Sequence, residues 1–204
     1  MASRLIVRTA LCVAFSGSFL SAGTLFTFDT DTPGTSTTFT DTVGGLSATF
    51  SSPSDPGGFT VTSGFFSSLT GNVLLDPGPA GADSIPLTVS FSSPLSNISL
   101  LFATNSGAGV FLVLDAFSGA TLVGTASASG TVPGGFTFPE GALSFGGPTF
   151  DSIVLSSSAL DFAVDSIDAT PTPEPSSWGS SALGLGLLCY AYRRARFRRM
   201  RSRP

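Results

Sequence analysis

Lysine and histidine are both missing from the 204-residue chain, and its nine cations are all arginines confined to the two ends. Arg4 and Arg8 lie near the start; Arg193, Arg194, Arg196, Arg198, Arg199, Arg201 and Arg203 lie at the finish. Between Thr9 and Tyr192 there is no positive side chain, whereas all 13 acidic residues fall there, so this stretch carries −13 against −4 for the whole chain. A body without cations cannot neutralise phosphates, which excludes nucleic acid as its partner. Any mechanism that uses an imidazole or an amine is excluded with it. Cys12 and Cys189 both sit in terminal apolar segments, so the body has neither a disulfide nor a metal–thiolate centre. Trp178, Tyr190 and Tyr192 belong to the C-terminal tail, leaving 16 phenylalanines as the aromatic rings of the body.

The ends read as two addresses. Residues 1–23 have the plan of a secretory signal peptide: Arg4 and Arg8, then the mostly apolar Thr9–Leu20, then the small residues Ser21-Ala22-Gly23. Cleavage after Ala22 or after Gly23 satisfies the small-residue requirement. At the other end, residues 170–175 form a stiff proline-rich spacer, because Pro171, Pro173 and Pro175 fix φ and remove backbone donors. Residues 176–192 then run without a charge. As a helix they would reach roughly 26 Å, slightly short of a ~30 Å hydrocarbon core. Trp178 near one end and Tyr190 and Tyr192 near the other suit the membrane interface, and the arginines of 193–204 act as a stop-transfer signal that stays cytoplasmic. The body is therefore expected outside the inner membrane.

The triplet Pro173-Glu174-Pro175, a short apolar helix and a terminal arginine cluster, in that order, resemble the PEP-CTERM sorting signal of Gram-negative bacteria. The resemblance covers residues 171–204. It implies that Pro173, Glu174 and Pro175 are recognised by an exosortase-type membrane protease, which removes the helix and tail. It also implies an association with exopolysaccharide and biofilm.

Between the ends, residues 24–169 alternate apolar and polar positions in short runs. Leu46, Ala48 and Phe50, then Leu87, Val89 and Phe91, then Ile98, Leu100 and Phe102 all repeat with a period of two. Leu25–Phe28, Phe59–Val61, Thr121–Thr125, Phe136–Phe138, Leu143–Phe145, Ile153–Leu155 and Phe162–Ile167 are further strand candidates, and Val110–Leu114 reads as a central strand apolar on both faces. Pro53, Pro56-Gly57-Gly58, Pro77-Gly78-Pro79, Pro94, Pro133-Gly134-Gly135 and Gly146-Gly147-Pro148 separate them as breakers. No segment sustains a 3.6-residue period. The expectation is all-β: one β-sandwich or jelly-roll domain between a signal peptide and a C-terminal transmembrane helix. Residues 87–169 also resemble the C-terminal half of jelly-roll domains common among PEP-CTERM proteins, through Leu112–Phe117, the hairpin to Leu122-Val123-Gly124, and the ending Phe150–Ile153 with Phe162–Ile167. Those domains are related in shape to carbohydrate-binding modules.

The chemistry left open is narrow. A glycosidase needs two facing carboxylates, and the body has eleven aspartates and Glu140, but no basic or thiol group to tune them. The domain is therefore expected not to be an enzyme. Asp161 and Asp165 share a parity near the last strand, Asp168 has the other unless a bulge intervenes, and Asp29 and Asp31 follow the first strand. If first and last strands are neighbours, Asp29, Asp31, Asp161 and Asp165 form a set that a structural Ca²⁺ would suit. The alternative is solvated aspartates that keep an outward face soluble and discourage edge pairing. No other cofactor is expected. The sequence reads as an exported bacterial cell-surface or extracellular-matrix protein, structural or binding within exopolysaccharide, with a secreted carbohydrate-binding or carbohydrate-active protein as the alternative.

Overall fold

The computed structural model describes residues 22–76, 84–105 and 110–173, together with the helical residues 184–186, 188 and 190. Most of the expected signal peptide, Glu174 and Pro175, the arginine tail and most of the expected membrane helix lie outside the described residues. Among the described ones, no helix is long and apolar enough to cross a membrane.

Among the described residues, ten strands follow one another: β1 (Thr24–Phe26), β2 (Phe39–Val43), β3 (Leu46–Ser51), β4 (Thr60–Ser63), β5 (Asn72–Leu75), β6 (Leu87–Thr104), β7 (Phe111–Ser118), β8 (Thr121–Ser129), β9 (Glu140–Ser157) and β10 (Phe162–Pro171). The alternation in the sequence sets which side chains enter the core. In β3, Leu46, Ala48 and Phe50 are buried, while the intervening Ser and Thr are half-buried. Every pairing is antiparallel, and together they make a sandwich-like pair of layers. One layer runs β2, β3, the first part of β6, the second part of β9, β7 and β8. The other runs β4, β5, β10, the second part of β6 and the first part of β9.

β6 and β9 belong to both layers. Their mutual register shifts between Ser90 and Leu95 and again between Leu95 and Asn97, opposite the stretch from Gly146 to Ser152. Pro94 and Gly146-Gly147-Pro148, expected to separate strands, instead bend two continuous strands of 18 residues each. The physical reason is that a strand can leave one layer and enter the other through a bulge, where a missing donor or a positive φ costs no ladder bond. Other differences are local. Phe136 and Phe138 lie in the loop before β9 rather than on a strand. β7 is paired on both edges, yet Phe111 is half-exposed, so the strand is not apolar-buried on both faces. β2, whose residues are exposed or half-buried, was not foreseen; Gly44 and Gly45, both at positive φ, make its two-residue turn into β3.

Phenylalanine fills the space between the layers. Phe26, Phe28, Phe50, Phe59, Phe102, Phe150 and Phe162 are buried completely, or within a percent of it. Edge-on ring pairs join Phe28 to Phe50 at 5.3 Å, Phe59 to Phe162 at 5.2 Å and Phe145 to Phe150 at 5.3 Å. A second, smaller cluster of Leu69, Val73, Ala103 and Ala163 lies on the outer face of the β5–β10–β6 layer, beneath residues 64–71.

The first and last strands are neighbours, as expected. Thr24 pairs with Ala169 and Phe26 with Ile167. Since the two strands are antiparallel, the chain before Thr24 and the chain after Ala169 leave from the same end of the sandwich. Thr172 closes that exit by donating from its N–H (2.9 Å) and its hydroxyl (3.1 Å) to the carbonyl of Pro94.

Candidate functional site

The opposite end of the same layer carries the features that could meet a ligand. From Ala169 back to Phe162 along β10 is about 23 Å at the ordinary strand rise. There, Phe66, Leu75, Ala103, Thr104, Asn105, Phe138, Asp161, Phe162 and Ala163 line a pocket of about 120 Å³. Its floor is made by small side chains on adjacent strands, since Ala103 of β6 pairs directly with Ala163 of β10. Phe66 and Phe138 stand with ring centroids 5.9 Å apart. Next to them Phe65 is 82% exposed, and its centroid is 5.4 Å from that of Phe136. The rim is polar: the Asn105 amide donates to Asp161 Oδ2 at 2.7 Å, and the Asn105 N–H donates to the Asp161 carbonyl at 2.9 Å. The Thr104 hydroxyl is buried with no hydrogen-bond partner among the described residues. Such a buried polar atom is costly unless something satisfies it.

Residues 64–72, which bring Phe65 and Phe66 to this place, are held by carboxylates rather than by a regular strand. Glu140 on β9 is 6% exposed and accepts from the Ser67 N–H (2.7 Å), the Ser68 N–H (2.7 Å) and the Ser68 hydroxyl. Burial opposes its ionisation, but these donors outweigh burial and hold its pKa below the ordinary glutamate range. Asp165 accepts from the Thr70 N–H at 3.3 Å and the Ser166 N–H at 2.6 Å; Asp29 accepts from the Asn72 N–H at 2.9 Å. Burial pushes the Asp165 pKa up; the donors from Ser166 and Thr70 oppose this, and the nearby charge of Asp29 adds to it. Gly71 has φ +72°, and a Cβ there would collide with the Asp29 carboxylate, so only glycine fits. In a domain with no cation, backbone N–H groups take the part of counter-ions.

The four aspartates named for Ca²⁺ do not form one set. Asp29 and Asp165 reach the same loop, whereas Asp161 lies on the pocket rim with Asn105. Asp31 has one buried oxygen without a partner among the described residues. Its pKa is raised by burial and then by the charge of Asp41. Among the described residues, no group of three or more acidic, cysteine or histidine side chains is arranged to hold a metal ion. The parity of the last strand also changes. Asp161 precedes β10, and the register shifts between Asp165 and Asp168, where Ser166 takes φ +51°. Of the sorting triplet, Pro173 is described and follows the end of β10 at Pro171, while Glu174 and Pro175 lie outside the described residues. Ala22 and Gly23 are exposed and lead directly into β1.

The Phe65–Phe66 ledge escaped the sequence reading, although a signal for it exists. Two adjacent phenylalanines cannot both enter one core from a strand, because successive side chains point to opposite faces.

No family model and no curated protein matches the chain. Among solved structures, it is similar to the K2 cleaved adhesin domain of Lys-gingipain, at 14% identity over 73% of this chain and 99% of that one, with a TM-score of 0.48. It is also similar to a family 6 carbohydrate-binding module, at 16% identity over 61% of this chain and 94% of that one, TM-score 0.36. A third is a carbohydrate-binding module from Cellvibrio mixtus lichenase 5A in complex with cellotriose, at 17% identity over 57% and 88%, TM-score 0.31.

Proposed function

We propose that this is an exported, non-catalytic cell-surface or matrix protein, delivered by its signal peptide, sorted through Pro173-Glu174-Pro175 by an exosortase-type protease, and acting by binding exopolysaccharide. The observation that carries the reading is the polarity of the sandwich. Both chain ends leave beside the Thr24–Ala169 pair, and the pocket lies at the other end of β10. β10 ends at Pro171, two residues before the triplet, so removal of the helix and arginine tail would leave every strand in place. A domain held at one pole would thus present its pocket away from the membrane.

The pocket's chemistry favours a neutral saccharide. Phe66 and Phe138 offer ring faces to C–H groups, Asn105 and Asp161 offer donors and acceptors to hydroxyls, and no cation is present to attract an acidic sugar. Glu140, the body's one glutamate, is fully engaged by Ser67 and Ser68, which supports a non-catalytic reading. Titration of the exported protein with neutral oligosaccharides from its host's exopolysaccharide should give saturable binding, weakened at least tenfold by Phe66→Ala and unchanged by Phe111→Ala on the other layer. Binding that Phe66→Ala leaves intact, or no binding at all, would remove the saccharide assignment.

A further inference from the structure

We propose that the precursor is cut between Ala22 and Gly23, and that the new Gly23 ammonium becomes the ionic partner of Asp168, fastening β1 to β10. The proposal rests on the signal-peptide reading and goes beyond it by fixing the bond and giving the new terminus a task.

Asp168 Oδ1 is buried and has no hydrogen-bond partner among the described residues. The neighbours across the sheet do not supply one: Asp168 stands opposite Leu25 on β1 and Ser99 on β6, neither of which is ionisable. What does lie against the carboxylate is Gly23, where an added Cβ would collide with Oδ1. A backbone nitrogen is only about 2.5 Å from its own residue's Cβ position, so the Gly23 nitrogen lies within about 4.5 Å of that oxygen, and a small rotation of the freed terminus would bring the two together. In the precursor this nitrogen is a neutral amide. Hydrolysis of the Ala22–Gly23 bond adds water across it, leaving a carboxylate on Ala22 and, after protonation, an ammonium on Gly23. That ammonium would be the sole positive charge between the cut and Tyr192, and it would form beside a buried carboxylate oxygen that has no partner among the described residues. Cleavage one bond later would discard the glycine against which Asp168 rests.

The chain has no lysine, so an amine-directed acylating reagent reads the terminal amine alone. The full gene is expressed in an exporting Gram-negative host, and the exported protein is mapped by mass and then acylated at pH 7. The expected N-terminus is Gly23. Its amine should react about tenfold more slowly than that of the Asp168→Asn variant, since an opposite charge raises an amine's pKa and one unit is tenfold. Acylation should also lower the melting temperature of the wild-type protein and leave that of Asp168→Asn unchanged. An uncleaved terminus would overturn both the export reading and this inference. Cleavage at another bond, or equal reactivity in the two proteins, would overturn this inference and leave export standing.

Discussion

Replacing Glu140 with glutamine should loosen residues 64–72 while leaving the sandwich assembled. The wild-type carboxylate satisfies three donors at once, the N–H groups of Ser67 and Ser68 and the Ser68 hydroxyl. Glutamine keeps one acceptor oxygen and turns the other position into a donor, so at least one N–H faces an amide that cannot accept from it. A hydrogen bond to a charged group contributes about 1.5–3 kcal/mol, and the charge itself is lost from the bonds that remain. Ser67 and Ser68 are exposed, so water replaces part of what is lost, and the net cost should be about 2–3 kcal/mol. Confined to the loop, that is roughly a 30- to 150-fold rise in hydrogen exchange at the Ser67 and Ser68 amides. Exchange at β6 and β9 amides on the other layer should not change. Protection at Ser67 and Ser68 within threefold of wild type would refute the claim that Glu140 holds this loop.

Acid should act in two stages. Asp31 and Asp165 have folded pKa values above the ordinary 3.8, so their contribution is present at low pH and lost as pH rises through those values. Glu140 lies below the ordinary 4.5, so its contribution is present above 4.5 and lost as pH falls through its folded value. Thermal melts should therefore show a gain on mild acidification and then a loss, and Glu140→Gln should lack the second limb. Gly71→Ala, at φ +72° against Asp29, should cost about 1–2 kcal/mol from backbone strain before any shift of the carboxylate; urea unfolding measures it. Phe150→Ala, fully buried where β9 changes layers, should cost about 3–5 kcal/mol by the same assay.

Most strands were legible because half-buried antiparallel strands print their period in the sequence. Leu46-Ala48-Phe50 and Ile98-Leu100-Phe102 are buried on one side, as alternation requires. Reading Pro94 and Gly146-Gly147-Pro148 as ends of strands failed because the same residues serve a bulge between layers as well as a turn between strands. The adjacency of β1 and β10, on which the acidic-cluster reading depended, is present. No three of Asp29, Asp31, Asp161 and Asp165 are grouped among the described residues, and residues 64–72 engage Asp29 and Asp165 through N–H groups. That arrangement joins Thr70 to Asp165 and Ser67 to Glu140 across more than seventy residues, and no local pattern announces it. The pocket was hidden for the same reason: its walls come from five separated stretches of chain.

The central claim is that a folded β-domain is delivered to the cell surface by a tail that is then removed. Its most direct test is the C-terminal residue of the protein recovered from its native host, by intact mass and peptide mapping. An aspartate-directed protease suits the mapping, because no lysine or arginine lies between Thr9 and Tyr192. The account predicts a terminus between Pro173 and Ser177, just beyond the end of β10. A terminus at Pro204, with the arginine cluster still attached, would contradict it.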